Sequence, residues 1–265
     1  MSFRQKIKSI PGLASSLRLA RGNIKAIYSK LAVKNKQKYI CPICNYRGPF
    51  SDYKDDSYPI FDTACPRCDL YERHRLQFLV MKELAKRYDF KRMSALHFAP
   101  EPQFRKAYER WFESYDTADI ENSEVDYRVD IRKMQFPSSS YHIVYASHVL
   151  EHVDDDDAAL KEVYRILKSG GFAVLPVPVV SPITVEYPVP NKYEFGHVRA
   201  PGVDYFNRYK NIFDRVEVWD SSQFCYEFQL YTYEDRSKYP SETSPYRQPM
   251  EGTQFMDYVP VCYKV

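Results

Sequence analysis

The sequence predicts an α/β protein preceded by a small ribbon that carries cysteines. Three observations lead there. From Met93 onward, strand-like and helix-like segments alternate. One of them, YHIVYAS (141–147), is a nearly continuous apolar run, as a parallel strand buried on both faces requires. Ahead of the alternation stand two C-P-x-C pairs. With 265 residues and 44% apolar composition, the chain can close one large core and carry one accessory module.

Residues 1–40 hold ten Lys/Arg and no Asp/Glu, which leaves 28 basic and 35 acidic residues in the remainder. A basic arm (1–38) therefore precedes a mildly acidic body. Within it Ile24, Ile27, Tyr28 and Leu31 fall on one helical face, with Asn23 as N-cap. Lys25, Lys30, Lys34, Lys36 and Lys38 surround that face. Two readings stay open: a helix docked on the protein with a solvated basic side, or an anchor for anionic lipid or nucleic acid. No run approaches the ~18 apolar residues of a membrane span. A signal-peptide stretch is also absent, so the expected location is the cytoplasm, with a peripheral seat at a membrane open to the arm.

Cys41 and Cys44 form one knuckle, and Cys65 and Cys68 a second after 20 intervening residues. Four thiolates at this spacing suit tetrahedral Zn2+, and four protein ligands close the shell, so the ion is expected to be structural. A redox C-x-x-C would open a helix in a thioredoxin-like unit, and none is visible. Cys225 and Cys262 stand apart, and no secreted disulfide framework emerges. The ribbon is assigned to 39–70 and the body to 71–265.

Asp69 with Glu72 reads as a capping box for a helix through ERHRLQFLVMKELAKRY, with Leu76, Leu79, Val80 and Leu84 inward. Strands follow at MSALHFA, YDTADI, DYRVDI, YHIVYAS, FAVLPVPVV, DRVEVWD and DYVPVCYKV. Helices are expected from Pro102 to about Phe112, after Asp157 with a stop at Lys168–Gly171, and from Val203 to Asn211. Asp154 to Asp157 reads as an acidic first turn rather than a calcium site. Glu151 and His152 read as a cap, and Ser237 to Gly252 as a loop.

The turn after the first body strand, His97-Phe98-Ala99-Pro100-Glu101, has no glycine. A pyrophosphate needs bare backbone there, so dinucleotides and ATP are disfavoured. S-adenosylmethionine has no phosphate and suits such a loop. Ala99 keeps the turn small, Pro102 fits the first helical position, and Glu101 is placed to pair with the ligand's ammonium.

The order HFAPE, YDTADI, VDIRKMQFP, YHIVYASHVLEHV and EVYRILKSGGFAVLPVPV resembles a class I S-adenosylmethionine-dependent methyltransferase, type 11-like. More narrowly, it is similar to bacterial methyltransferases with a CPxC…CPxC ribbon, an ERHRL helix and an H-x-A-P-E loop. The resemblance runs from about Cys41 to Asn211. It implies a Rossmann-like sheet of seven strands whose last strand is antiparallel. It also implies that Asp119 binds the ribose hydroxyls, that Asp130 and Ile131 hold the adenine, and that Ser147 and His148 face the methionine part and the methyl. His97 is the remaining cofactor candidate, with a hydrogen bond inside the core as its alternative role.

The acceptor's proton calls for a base, for which His148 and His197 are the candidates. The H-V-R of the resemblance matches His197, Val198 and Arg199, and Arg199 is expected to hold an anionic substrate group. The acceptor is expected to be a sugar or another glycan-pathway small molecule, with an anionic membrane surface as a partner of the arm. Two alternatives remain: an RNA methyltransferase gripping nucleic acid with ribbon and arm, against which the acidic body argues, and an inactive scaffold that keeps the cofactor pocket.

Overall fold

The computed structural model describes residues 13–32, 36–53 and 59–265. Helix α1 (Leu13–Ala32) starts ten residues before the expected cap, so Asn23 lies mid-helix. Its docking side is not the apolar stripe. Gly22, Ala26 and Ser29 face the ribbon, and a Cβ on Gly22 would lie 2.2 Å from the Arg67 carbonyl oxygen. Ile24, Ile27 and Tyr28 are instead 68, 60 and 73% exposed. Lys25 pairs with Asp69, and Lys36 with Asp52 and Asp62, so part of the arm's charge is spent on the ribbon. Lys34, with the side chains of Lys30 and Leu31, lies outside the described residues.

Four short strands follow: β1 (Tyr39–Ile40), β2 (Arg47–Gly48), β3 (Ser51–Tyr53) and β4 (Ile60–Ala64). Helix α2 (Glu72–Leu84) is capped at Tyr71, whose N–H donates to His74 Nδ1 at 3.0 Å. Asp69 is not the cap; it takes a left-handed φ of 58° to close the second knuckle.

The body then runs β5 (Ser94–Phe98), α3 (Pro102–Tyr108), β6 (Ser114–Asp119), β7 (Tyr127–Arg128) and β8 (Tyr141–Ala146). After it come α4 (Asp156–Ile166), β9 (Leu167–Val174), β10 (Val185–Asn191) and β11 (His197–Ala200). The chain closes with α5 (Phe206–Lys210), β12 (Arg215–Asp220), β13 (Tyr231–Tyr233), β14 (Gln254–Met256) and β15 (Tyr258–Tyr263). The Gly170–Gly171 pair does not end a helix. It lies in β9, where a Cβ on Gly171 would meet the His142 carbonyl at 2.5 Å, so glycine lets β9 close on β8. Asp155 caps α4 by accepting from the Ala158 N–H, and Asp156 and Asp157 lie in its first turn, as expected of this acidic run.

Seven strands form one sheet in the order β12-β15-β9-β8-β5-β6-β7, with β15 antiparallel to both neighbours, as expected of the last strand. From β5 the chain moves outward through β6 and β7, then returns to β8 on the other side. The crevice between the carboxyl ends of β5 and β8 is the switch point where α/β sheets bind ligands. Apolar residues on both faces, among them Leu96, Val144 and Ala173 against α4 and Ile143, Val174 and Val261 against α2, make the strands nearly uniform in hydrophobicity.

A second sheet, β14-β13-β4-β3, was not expected. Tyr233 pairs with Phe61, so backbone pairing crosses the boundary drawn at residue 70. Arg75, fully buried, ties the same parts together. It donates to the carbonyls of Thr63, Leu70, Phe228 and Gln229 and stacks on Phe50. The β10/β11 hairpin was also not expected, because Pro188 and Pro190 hide an edge strand. No helix among the described residues is long and apolar enough to cross a membrane.

Candidate active site

A cavity of 620 Å³ opens at the carboxyl ends of β5, β6 and β8. Ala99, the first residue after β5, holds φ at 46°, a left-handed value usually left to glycine. Its N–H donates to the Ala118 carbonyl at 2.8 Å, and this bond to β6 fixes the turn without a glycine. Asp119 ends β6. Its Oδ1 accepts from the N–H groups of Glu121 and Asn122, both at 2.8 Å, which fixes the carboxylate at the cavity wall.

Ile120, 57% exposed, lies on the same wall with Val129, Ile131, Val149 and Val153, a surface suited to a flat base. Sequence reasoning passed over Ile120, although an apolar residue directly after the strand-end acid was a signal. Asp130 also lines the cavity, with Arg132 donating to both of its oxygens and holding its carboxyl below the usual range. The Arg132 backbone N–H also donates to Oδ1 at 2.9 Å, so three donors from one residue fix this carboxylate.

A second cavity of 450 Å³ adjoins the first, and Ala99, His148, His152 and Phe195 line both. Glu101 and Ser147 belong to this side. Their supports come from the ERHRL helix: His74 Nε2 donates to Glu101 at 2.9 Å, and Ser147 Oγ donates to Gln77 at 3.1 Å. Burial pushes the Glu101 carboxyl up, but the His74 bond and charge outweigh it and bring the pKa down to about 2.

His148 sits where the cavities meet. Its φ of 53° is an uncommon value for a non-glycine residue, held by a 2.9 Å bond from its N–H to the Pro176 carbonyl. Nδ1 lies 3.3 Å from Glu151 Oε1, while Nε2 is buried without a partner. Glu151 is not a cap: it is fully buried and faces the histidines. Burial pushes its carboxyl up, yet His148 first, then His197 and His152, hold it below the ordinary value. His197 lines the second cavity, and burial brings its pKa down to about 4, so it is neutral at physiological pH.

Two expectations are corrected. His97 lines neither cavity. It is buried in an aromatic cluster, with Nδ1 2.6 Å from the Tyr115 hydroxyl and its ring 4.5 Å from that of Tyr145. Arg199 does not face the substrate side. It is 2% exposed and donates to Glu186 and to the carbonyls of Leu150, Val153 and Asp154, clamping the turn after β8 to β11.

The arginines that do line the second cavity are Arg73, Arg236 and Arg247. Arg236 donates to Glu234, whereas Arg247 Nε and Nη2 and Arg73 Nε are buried without hydrogen-bond partners. Arg247 was missed because 237–252 reads as a loop and nothing local reveals what it covers, and Arg73 because the ERHRL helix was read only for its inward apolar face.

Asp257 lines the same cavity, and burial raises its pKa to about 6. The folded protein therefore holds this proton at pH values where the unfolded chain has released it. Stability falls as pH rises from about 4 through about 6, by about 3 kcal/mol, and then levels off. Asp257→Asn is expected to raise the melting temperature at pH 7.5 and leave it little changed at pH 4. Equal shifts at both pH values would refute the assignment.

In the ribbon, Cys41 Sγ lies 3.7 Å from Cys68 Sγ and Cys44 Sγ 3.5 Å from Cys65 Sγ. These separations approach the ~3.8 Å edge of a tetrahedron with zinc–sulfur bonds of about 2.3 Å. The knuckles repeat each other: Cys41 and Cys65 donate N–H to Tyr46 and Leu70, and Asn45 and Asp69 both take left-handed φ. The residues fit structural zinc.

Residues 83–175 match the family described as a methyltransferase domain. No curated protein matches in sequence. Among solved structures, the YcgJ protein of Bacillus subtilis is similar at 14% identity and a TM-score of 0.47, over 72% of this chain and 99% of that one. An S-adenosylmethionine-dependent methyltransferase of Mesorhizobium loti is similar at 16% and 0.45, over 69% and 96%. One from Archaeoglobus fulgidus is similar at 14% and 0.42, over 71% and 94%. The family match runs from the end of α2 through β9 and so includes Ala99, Asp119, Asp130 and His148; this part of the chain is a methyltransferase domain.

Proposed function

We propose that the enzyme O-methylates a sugar or another small glycan-pathway acceptor held in the second cavity. The observation that carries this reading is the junction: the donor cavity and the arginine-lined cavity share Ala99, His148, His152 and Phe195. A methyl transfer needs donor and acceptor in line across one point, and this is the point the two cavities share. The cavity's 450 Å³ falls in the range of small-molecule sites. Its wall alternates Arg73, Arg236 and Arg247 with Glu72, Glu234 and Asp257, which suits a polyhydroxylated or anionic ligand.

Bound S-adenosylmethionine supplies a methyl on a positively charged sulfur. Asp119 holds the ribose, Asp130 and Ile131 the adenine, and Glu101 and Ser147 the amino-acid end. His148 Nε2 takes the acceptor's proton, and Glu151 beside Nδ1 stabilises the imidazolium that results.

The test is incubation with methyl-labelled donor and separated glycan, RNA, protein and small-molecule fractions. Label is expected in a base-stable ether of the glycan or small-molecule fraction. Arg247→Ala is expected to lower kcat/KM by 10- to 100-fold with donor affinity unchanged. Label confined to RNA, or none in any fraction, would overturn the reading.

A further inference from the structure

Glu151, His152 and His197 each bring one ligand atom to within 4.8 Å of the others, at the junction of the two cavities. Three features mark this trio as more than packing. Glu151 is fully buried, and neither carboxylate oxygen has a hydrogen-bond partner. His148 Nδ1 stands 3.3 Å from Oε1, and a buried carboxylate met by so little else is disfavoured unless a further charge joins it. His197 Nδ1 is likewise buried and unpartnered, 3.8 Å from Glu194. The rings of His152 and His197 stand edge to face, 4.7 Å apart, although 45 positions separate them in sequence.

We propose that Glu151, His152 and His197 bind one divalent transition-metal ion, separate from the four-cysteine site, whose open positions face the acceptor. Two imidazoles and a carboxylate suit manganese, iron or cobalt, and three protein ligands leave room for an oxygen of the substrate. His148 then stands next to the metal rather than on it, with Glu151 bridging the ion and Nδ1, as carboxylate–histidine pairs do around metal sites. A hydroxyl bound to the ion is acidified. Its proton passes to His148 Nε2, the oxygen–carbon bond forms as the sulfur–carbon bond breaks, and the electron pair stays on sulfur. This role for the ion rests on the O-methylation proposed above; the binding of the ion does not.

The experiment titrates the zinc-loaded full-length protein with Co2+ and, separately, Mn2+, without acceptor. One equivalent of Co2+ is expected to bind and to show ligand-field bands without thiolate charge-transfer absorption, which excludes the cysteines. His152→Asn changes an exposed residue and His197→Asn a partly buried one, and each is expected to weaken binding at least 30-fold. Circular dichroism and the zinc content of the four-cysteine site report whether each variant is folded, and both are expected to stay unchanged. Absence of a second ion, or equal binding in His152→Asn, would overturn the inference. If no ion binds yet an ether is formed, the metal fails and O-methylation stands. If the ion binds and no ether forms, the reverse holds.

Discussion

Asp119→Ala is expected to weaken S-adenosylmethionine binding by 10²- to 10³-fold. The carboxylate ends β6 at the wall of the 620 Å³ cavity, where two N–H bonds fix it in place. Hydrogen bonds from two hydroxyls to a charged acceptor are worth about 1.5–3 kcal/mol each. The alanine also releases the Glu121 and Asn122 N–H groups that Oδ1 accepts. Asp119→Asn separates the two effects, because its amide oxygen keeps those backbone bonds while the charge is lost. Calorimetric titration is expected to rank wild type above Asn, and Asn above Ala, with zinc content and circular dichroism unchanged. Affinity within threefold of wild type for the alanine variant would show that the nucleoside sits elsewhere.

The second large effect is expected from Cys65→Ser. Loss of one thiolate opens the four-sulfur shell, and structural zinc contributes about 10–16 kcal/mol to small modules that depend on it. That is comparable to the whole stability of an ordinary domain, about 5–15 kcal/mol. The damage is expected to spread in a defined direction. β4 pairs with β13, and Arg75 joins the ribbon to the carbonyls of Phe228 and Gln229. Glu72 accepts from Thr63 and lines the 450 Å³ cavity. Zinc content is therefore expected to drop from one to below 0.2 per chain on the order expected for such sites. The melting transition should broaden, and acceptor turnover should fail before donor binding does. Wild-type melting with one residue of the shell removed would refute a structural metal.

Much of the body could be read along the chain. The Cys spacing, the apolar run of β8, the acid at the end of β6 and the glycine-free loop after β5 are local patterns, and local patterns follow from backbone period, turn chemistry and ligand chemistry. Their limits were local too. Asn23 looked like a cap because the residues before it were not recognised as helix. Gly170–Gly171 looked like a stop because the chain does not reveal that β8 will press against it.

What the chain order could not reveal is which distant side chains share a space. His197 was a candidate base, but its place beside Glu151 and His152 depends on the β10/β11 hairpin folding back over the turn after β8. Arg199 looked available for substrate, and only the packed turn shows its guanidinium consumed by three carbonyls. Arg236 and Arg247 gave no signal at all, since a loop-like stretch acquires its role only when it closes a cavity whose other walls include residues as distant in sequence as Ile60 and Ala99. The physical reason is common to these cases. Hydrogen-bond period and turn geometry act between neighbours in the chain, whereas burial, and with it the fate of a charge, is a property of the assembled core.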